Sequence, residues 1–189
     1  MLLIWSCRGD KTVDWFVDHF LSPSSIAWVR FDTDTFPEKY LVSGTTDKIE
    51  LRDLEGRRLF VSEEISSVWF RREFPSIFDS TPMSQKALEY SRLESLVTLT
   101  SIRKFLGHAR WVNKPENNVA ASDKLSQLRD ARLKGFRVPQ TLVSNDYQSA
   151  IELAEKYEGK IIVKALRRGT LETGRVFYSN LVDVATLQK

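Results

Sequence analysis

Residues 2–5 (LLIW) form an uninterrupted apolar run. Val13, Phe16, Val17 and Phe20 follow at helical spacing, and residues 26–31 (IAWVRF) make a second run, apolar except for Arg30. A continuous run of four to six apolar residues is a strand buried on both faces, and a helix between two such strands calls for a parallel crossover. This order predicts an α/β fold built on a parallel sheet. The opening run lacks a basic leader and is too short for a signal core or a membrane span, so no membrane partner and a cytoplasmic setting are expected.

A chain of 189 residues is long enough for one large or two small units. With 42% hydrophobic and 28% charged residues, it is neither collagen-like nor disordered. The net charge of +3 and pI of about 9.0 raise the question of nucleic acid. Basic and acidic residues alternate almost everywhere, however, and no basic block marks such a partner. Cys7 is the sole cysteine, and with His19 and His108 it makes neither a disulfide nor a metal-ligand spacing. A reducing compartment fits this composition.

Beyond the first crossover, residues 48–52 and 58–61 alternate on either side of a DLEG turn and read as a hairpin, and residues 66–72 (SSVWFRR) read as a further strand. Residues 84–106 contain no Gly or Pro and carry Leu88, Leu93, Leu96, Val97, Leu99 and Phe105, which predicts a long helix closing a first unit. Residues 111–115 read as a loop. A helix then follows with Ser122 as N-cap and Gly135 just past its end. Residues 141–143 read as a strand, residues 144–146 (SND) cap a helix that stops at Gly159, and residues 160–166 (KIIVKAL) and 175–178 (RVFY) read as strands. Nothing after them covers this second sheet, so one partner layer is expected to be missing.

Two lysines could meet an anion. Lys124 falls in the first turn of a helix, beside free backbone N–H groups and the positive end of the dipole. Lys164 ends an apolar strand next to Arg167, Arg168, Gly169 and Thr170. Each also fits an ordinary surface lysine, and the turn lacks P-loop spacing. Asp32 and Asp34 end a strand, where ligands gather in open α/β sheets, although turn chemistry accounts for them as well. Arg71 and Arg72 alternate in direction, and one is expected to reach inward to a carboxylate such as Glu94 as a structural ion pair. The tryptophans Trp5, Trp15, Trp28, Trp69 and Trp111 are expected in the core.

Residues 26–37 (IAWVRFDTDTFP), 67–72 (SVWFRR), 109–113 (ARWVN), 124–141 (KLSQLRDARLKGFRVPQT), 142–146 (LVSND) and 161–164 (IIVK) occur in one register. Together they resemble the ATP-grasp ligases that mature ribosomally made peptides, of the microviridin and grasp-with-spasm type, which are similar to the ribosomal-protein glutamate ligases. The resemblance implies a pre-ATP-grasp α/β domain over residues 1–112 and, over residues 113–189, an incomplete small nucleotide-binding α+β lobe of the ATP-grasp fold. It further implies that Lys124 and Lys164 contact ATP, chiefly its phosphates, and that the turn with Arg168, Gly169 and Thr170 covers them. Lys164 is followed by Ala165 where the family usually has proline.

Family members phosphorylate a side-chain carboxylate of a precursor peptide, and a hydroxyl or amine of that peptide then displaces phosphate to close an ester or amide ring. Mg2+ neutralises the phosphates. Its Asp, Glu and Asn ligands belong to a later lobe with no counterpart before Lys189, so the expectation is the N-terminal part of such a ligase. A precursor peptide, bound through its leader near residues 167–180, and a second copy in a homodimer are the implied partners. The alternative is a non-catalytic module that keeps peptide binding or dimerisation and has lost the chemistry.

Overall fold

The computed structural model describes residues 1–79, 82–166 and 178–187 and divides into two compact units, Met1–Asn117 and Asn118–Lys189. In the first unit, β1 (Leu2–Ser6) is fully buried at Leu3, Ile4 and Trp5, as an apolar run inside a parallel sheet must be. The Asp10 side chain accepts the N–H groups of Thr12 and Val13 and so starts α1 (Lys11–Phe16). The helix continues into a π-helical turn at Val17–Leu21, closed by the Ser22 N–H on the Val17 carbonyl. The wider turn shifts the inward face by one residue. Leu21 therefore joins Ile4 and Val13 in the core, while Phe20, expected on that face, is exposed.

The strand β2 (Trp28–Asp32) lies parallel to β1, with Leu2 opposite Trp28 and Ser6 opposite Asp32. Next come β3 (Tyr40–Gly44), β4 (Ile49–Asp53) and β5 (Arg58–Val61), an antiparallel sheet in that order. The β4–β5 pair is the expected hairpin. The strand β3 has no buried residue and so gives no apolar pattern to read. The chain returns through β6 (Ser67–Phe70), which flanks β1 on its other side.

Ser84 caps α2 (Gln85–Phe105), which is followed by β7 (Arg110–Val112), parallel to β6. Part of β7 was expected to be loop; three residues are too few to display a period. The parallel sheet thus runs β2-β1-β6-β7. One core joins both sheets and α2: Leu3, Trp5 and Phe31 pack with Ile49, Leu51 and Phe60 and with Leu99, Ile102 and Leu106. Of the tryptophans, Trp5 is fully buried, whereas Trp15 is 54% exposed and stacks on His19 outside the core, against expectation.

The boundary between the units falls within α3 (Pro115–Ala121). The second unit continues with α4 (Lys124–Leu133), capped by Asp123 rather than Ser122, because the Asp123 carboxylate accepts the Ser126 N–H. Gly135 ends it at φ +84°. There the N–H groups of Gly135 and Phe136 bond the carbonyls of Arg132 and Ala131, the paired bonds of a glycine-terminated helix.

Asp146 caps α5 (Tyr147–Glu155), and β8 (Lys160–Val163) pairs antiparallel with β9 (Asn180–Asp183), followed by α6 (Val184–Leu187). Residues 141–143 are not a strand; Leu142 and Val143 are 42% and 43% exposed, so no apolar face drives pairing. Of the strand expected at 175–178, residues 175–177 lie outside the described residues. The facing positions Ile162 and Leu181 are both exposed, leaving that side of the β8–β9 ribbon open.

Candidate functional site

In the second unit, the Asp123 cap fixes the start of α4, and Lys124 is its first residue. The Lys124 ammonium donates to the carbonyl of Leu166. Lys164 follows β8 directly, is exposed, and has no ion pair among the described residues. The Lys124 head group is therefore anchored two residues beyond Lys164, on the segment that leads into the turn. Arg168, Gly169 and Thr170 lie outside the described residues.

Asp123 is held below its ordinary pKa of 3.8 by hydrogen bonds from Ser126. The folded chain thus binds this proton more weakly than the unfolded chain does. The cap's contribution to stability is present above the ordinary value and is lost as pH falls through the lower folded value. The melting temperatures of the parent and of Asp123→Ala are expected to differ at neutral pH and to converge in acid below 3.8, as followed by circular dichroism.

In the first unit, chemistry collects at the carboxyl ends of the parallel strands. The Asp10 side chain is 2% exposed and receives Arg72 Nε at 2.8 Å and Arg71 Nε at 3.6 Å. This corrects the expected partner of the arginine pair: Glu94 is exposed on α2, and the carboxylate comes from the loop after β1. Nearby, Arg8 binds buried Asp34 through its backbone N–H and Nε, at 2.9 and 3.0 Å, and approaches Asp79 at 3.6 Å.

Asp32 pairs with Arg30 at 2.7 Å, and Arg30 also reaches Asp14 at 2.5 Å. Burial pushes the Asp32 carboxyl up, against the hydrogen bond from Arg30. Burial, with Asp34 nearby, likewise raises the Cys7 thiol. Asp32 and Asp34 are thus engaged in separate ion pairs and do not form a shared acid–base pair. The residues missed from sequence are Asp10, Arg8 and the buried Ser76. Asp10 carried a usable signal, an Asp three residues before Val13, the first of the helix-spaced apolar residues.

Residues 1–119 match the profile of the MvdD pre-ATP grasp domain. Among curated proteins no match is found. The fold is similar to that of macrocyclase MdnC from Microcystis aeruginosa MRC, bound with precursor peptide MdnA: TM-score 0.84, 22% identity, 99% of this chain and 63% of that one. It is similar also to macrocyclase MdnB from the same organism: TM-score 0.75, 25% identity, 97% of this chain and 61% of that one. A third match is the Chryseobacterium gregarium RiPP-associated ATP-grasp ligase in complex with ADP and a leader and core peptide: TM-score 0.85, 23% identity, 99% of this chain and 57% of that one. The chain therefore spans less than two thirds of the length of each of these proteins.

Proposed function

The chain belongs to the MvdD pre-ATP grasp domain family, and from that premise we propose that it forms part of a cytoplasmic, homodimeric ATP-dependent ligase that cyclises a ribosomally made precursor peptide. In this reading, residues 1–112 are the pre-ATP-grasp domain and residues 113–189 belong to the small nucleotide-binding lobe. The observation that carries the reading is the bond from Lys124 to the Leu166 carbonyl, which brings one ammonium to the stretch that also bears Lys164. Two cationic heads borne on or held to one stretch, Lys124 through the Leu166 carbonyl and Lys164 directly, suit a polyphosphate better than any neutral ligand. Arg168, Gly169 and Thr170 would close over it.

The reaction has two steps. An oxygen of a peptide carboxylate attacks the γ-phosphorus of ATP, the bond to the β–γ bridging oxygen breaks, and ADP leaves. A hydroxyl or amine of the same peptide then attacks the acyl carbon, loses a proton and expels phosphate, closing an ester or amide. The lysines bind and orient the nucleotide and offset charge on its phosphates. Among the described residues no group of three or more His, Cys, Asp and Glu could hold a metal ion, so these residues give Mg2+ no seat. An exposed apolar stripe on α2, with Tyr90, Leu93 and Val97 at helical spacing, supports the homodimer.

A second reading is a peptide-binding or dimerisation module without chemistry. Thermal unfolding separates the two. ATP or ADP at a hundred times Kd is expected to stabilise the parent chain by about 2.7 kcal/mol, and the variant carrying both Lys124→Ala and Lys164→Ala is expected to lose that shift. Protection by a precursor peptide with none by nucleotide would instead select the binding module.

A further inference from the structure

Among the described residues β3 closes one side of the antiparallel sheet, with β4 as its neighbour. Which of its amides face outward follows from the ladder. Just beyond the paired strands the Thr45 N–H bonds the Lys48 carbonyl, whereas the Ile49 and Asp53 N–H groups turn away from β3, to Ser62 Oγ and the Arg57 carbonyl. Hydrogen-bonded pairs alternate along an antiparallel ladder, so Leu41 bonds Arg52 and Ser43 bonds Glu50. The N–H and C=O groups of Val42 and Gly44, and the C=O of Tyr40, therefore point away from β4, and they have no partner among the described residues. The Tyr40 N–H is already taken by the Pro37 carbonyl.

Outer strands are ordinarily blunted by charge, proline, a bulge or shortness, or else they are covered. On the opposite side of this sheet β5 carries Arg58, ion-paired with Glu64, and the β4–β5 register shifts between Leu51 and Arg52. β3 has no such device. Its five residues, YLVSG, hold neither charge nor proline, and Leu41 and Val42 are 49% and 37% exposed. A cover for this strand has to bring backbone donors and acceptors in alternation, which only another strand supplies.

β3 is its own complement. Turned antiparallel about a two-fold axis beside Val42, it sets Val42 opposite the partner's Val42 and Tyr40 opposite the partner's Gly44. The valines then exchange both N–H···O bonds, and each Gly44 N–H meets a free Tyr40 carbonyl, so the occupied Tyr40 N–H is not needed. The valines make a β-branched cross-strand pair, and the missing side chain at Gly44 leaves room for the ring across from it. Sliding the pairing by two residues sets Val42 against Gly44 or Tyr40 instead and loses the valine pair.

We propose that two copies of this chain join their antiparallel sheets by pairing β3 with β3 about Val42. A contact between identical surfaces across a two-fold axis closes on itself, so association stops at two copies. The assignment rests on the homodimeric part of the reading above and names a surface for it.

The test uses the full chain in analytical sedimentation, with circular dichroism to show that each variant is folded. The parent is expected to be a dimer. Val42→Lys sets two like charges directly opposite each other and is expected to raise the dimer Kd at least about tenfold, and Val42→Glu is expected to do the same. An equimolar mixture of the two variants is expected to associate again, because only a residue that faces its own copy turns repulsion into attraction on mixing. In the parent, the outward amides of Val42 and Gly44 are expected to gain protection from hydrogen exchange as the protein concentration rises through Kd, a readout that needs no variant. A dimer unchanged by Val42→Lys, no recovery on mixing the folded variants, or Val42 and Gly44 amides that exchange equally fast in monomer and dimer would each overturn the pairing. A dimer that survives Val42→Lys and is lost with Leu93→Lys, on the α2 stripe, overturns it and leaves the homodimer standing. A parent chain that stays monomeric at every concentration measured removes both.

Discussion

Trp5→Ala is expected to destabilise the chain by about 3–5 kcal/mol. Trp5 is fully buried in the central strand pair, meets Phe31 edge-on at 5.1 Å between ring centroids, and lies near Phe70 at 6.4 Å. Its indole Nε1 donates to Glu73 at 2.9 Å; Arg103 also bonds Glu73, and its guanidinium sits 6.0 Å from the Trp5 ring. Truncation empties the space between the sheet and α2 and takes one donor from Glu73.

Trp5→Phe separates these contributions in part, because it keeps a six-membered ring in the core and loses the indole donor with the small ring that carries it. Its expected cost is about 1–3 kcal/mol, the penalty for an unmade hydrogen bond to a charged group. Urea unfolding followed by circular dichroism checks both variants, with the midpoint moving and the slope unchanged. Against a typical stability of about 5–15 kcal/mol, Trp5→Ala consumes a large share. A loss under 1 kcal/mol would mean that Trp5 is not the packing centre described.

Asp10→Ala is expected to cost about 3 kcal/mol, the low end for breaking a buried ion pair. Asp10 serves two structures at once: its Oδ1 accepts the N–H groups of Thr12 and Val13, while its Oδ2 faces Arg71 and Arg72. The low end applies because both arginines are partly exposed and can rehydrate once their counter-charge is gone. Asp10→Asn caps a helix about as well as Asp does but carries no charge. It is expected to lose only the electrostatic part and to fall between the parent and Asp10→Ala in chemical unfolding. Asp10→Asn as stable as the parent would show that the arginines do not need Asp10 and would leave only the cap.

Where apolar residues are continuous or evenly spaced, the fold was legible. β1, β2 and β6 announce themselves through LLIW, IAWVRF and SVWF, and α2 through 21 residues without Gly or Pro. Gly135 at positive φ could be read at the end of α4 because only glycine adopts that geometry freely. The strand β7 was hidden by its length and β3 by its exposure, since neither presents a repeating buried side. The register slip at Val17–Leu21 was hidden because a period of 3.6 cannot report its own interruption.

Side-chain partners were harder to read. Alternation predicts that Arg71 and Arg72 part company, yet both lie past the end of β6 and both reach Asp10, on a loop brought in from the far end of the unit by strand pairing. Glu94 was nearer in sequence and wrong in space. Lys124 and Lys164 were legible individually, through a helix start and a strand end. The bond from Lys124 to Leu166 was not, because a flexible four-carbon stem takes its direction from tertiary surroundings.

The outermost members of the parallel sheet also bear on how the chain behaves in a crowded solution. Among the described residues β2 and β7 each have one neighbour, and the free margin of a sheet invites a foreign strand to add on and seed aggregates. One margin is only three residues long. The other carries Arg30, tied to Asp14 and Asp32, and an intruding strand would have to dehydrate that charge. Shortness on one side and charge on the other keep the sheet from growing beyond its four strands.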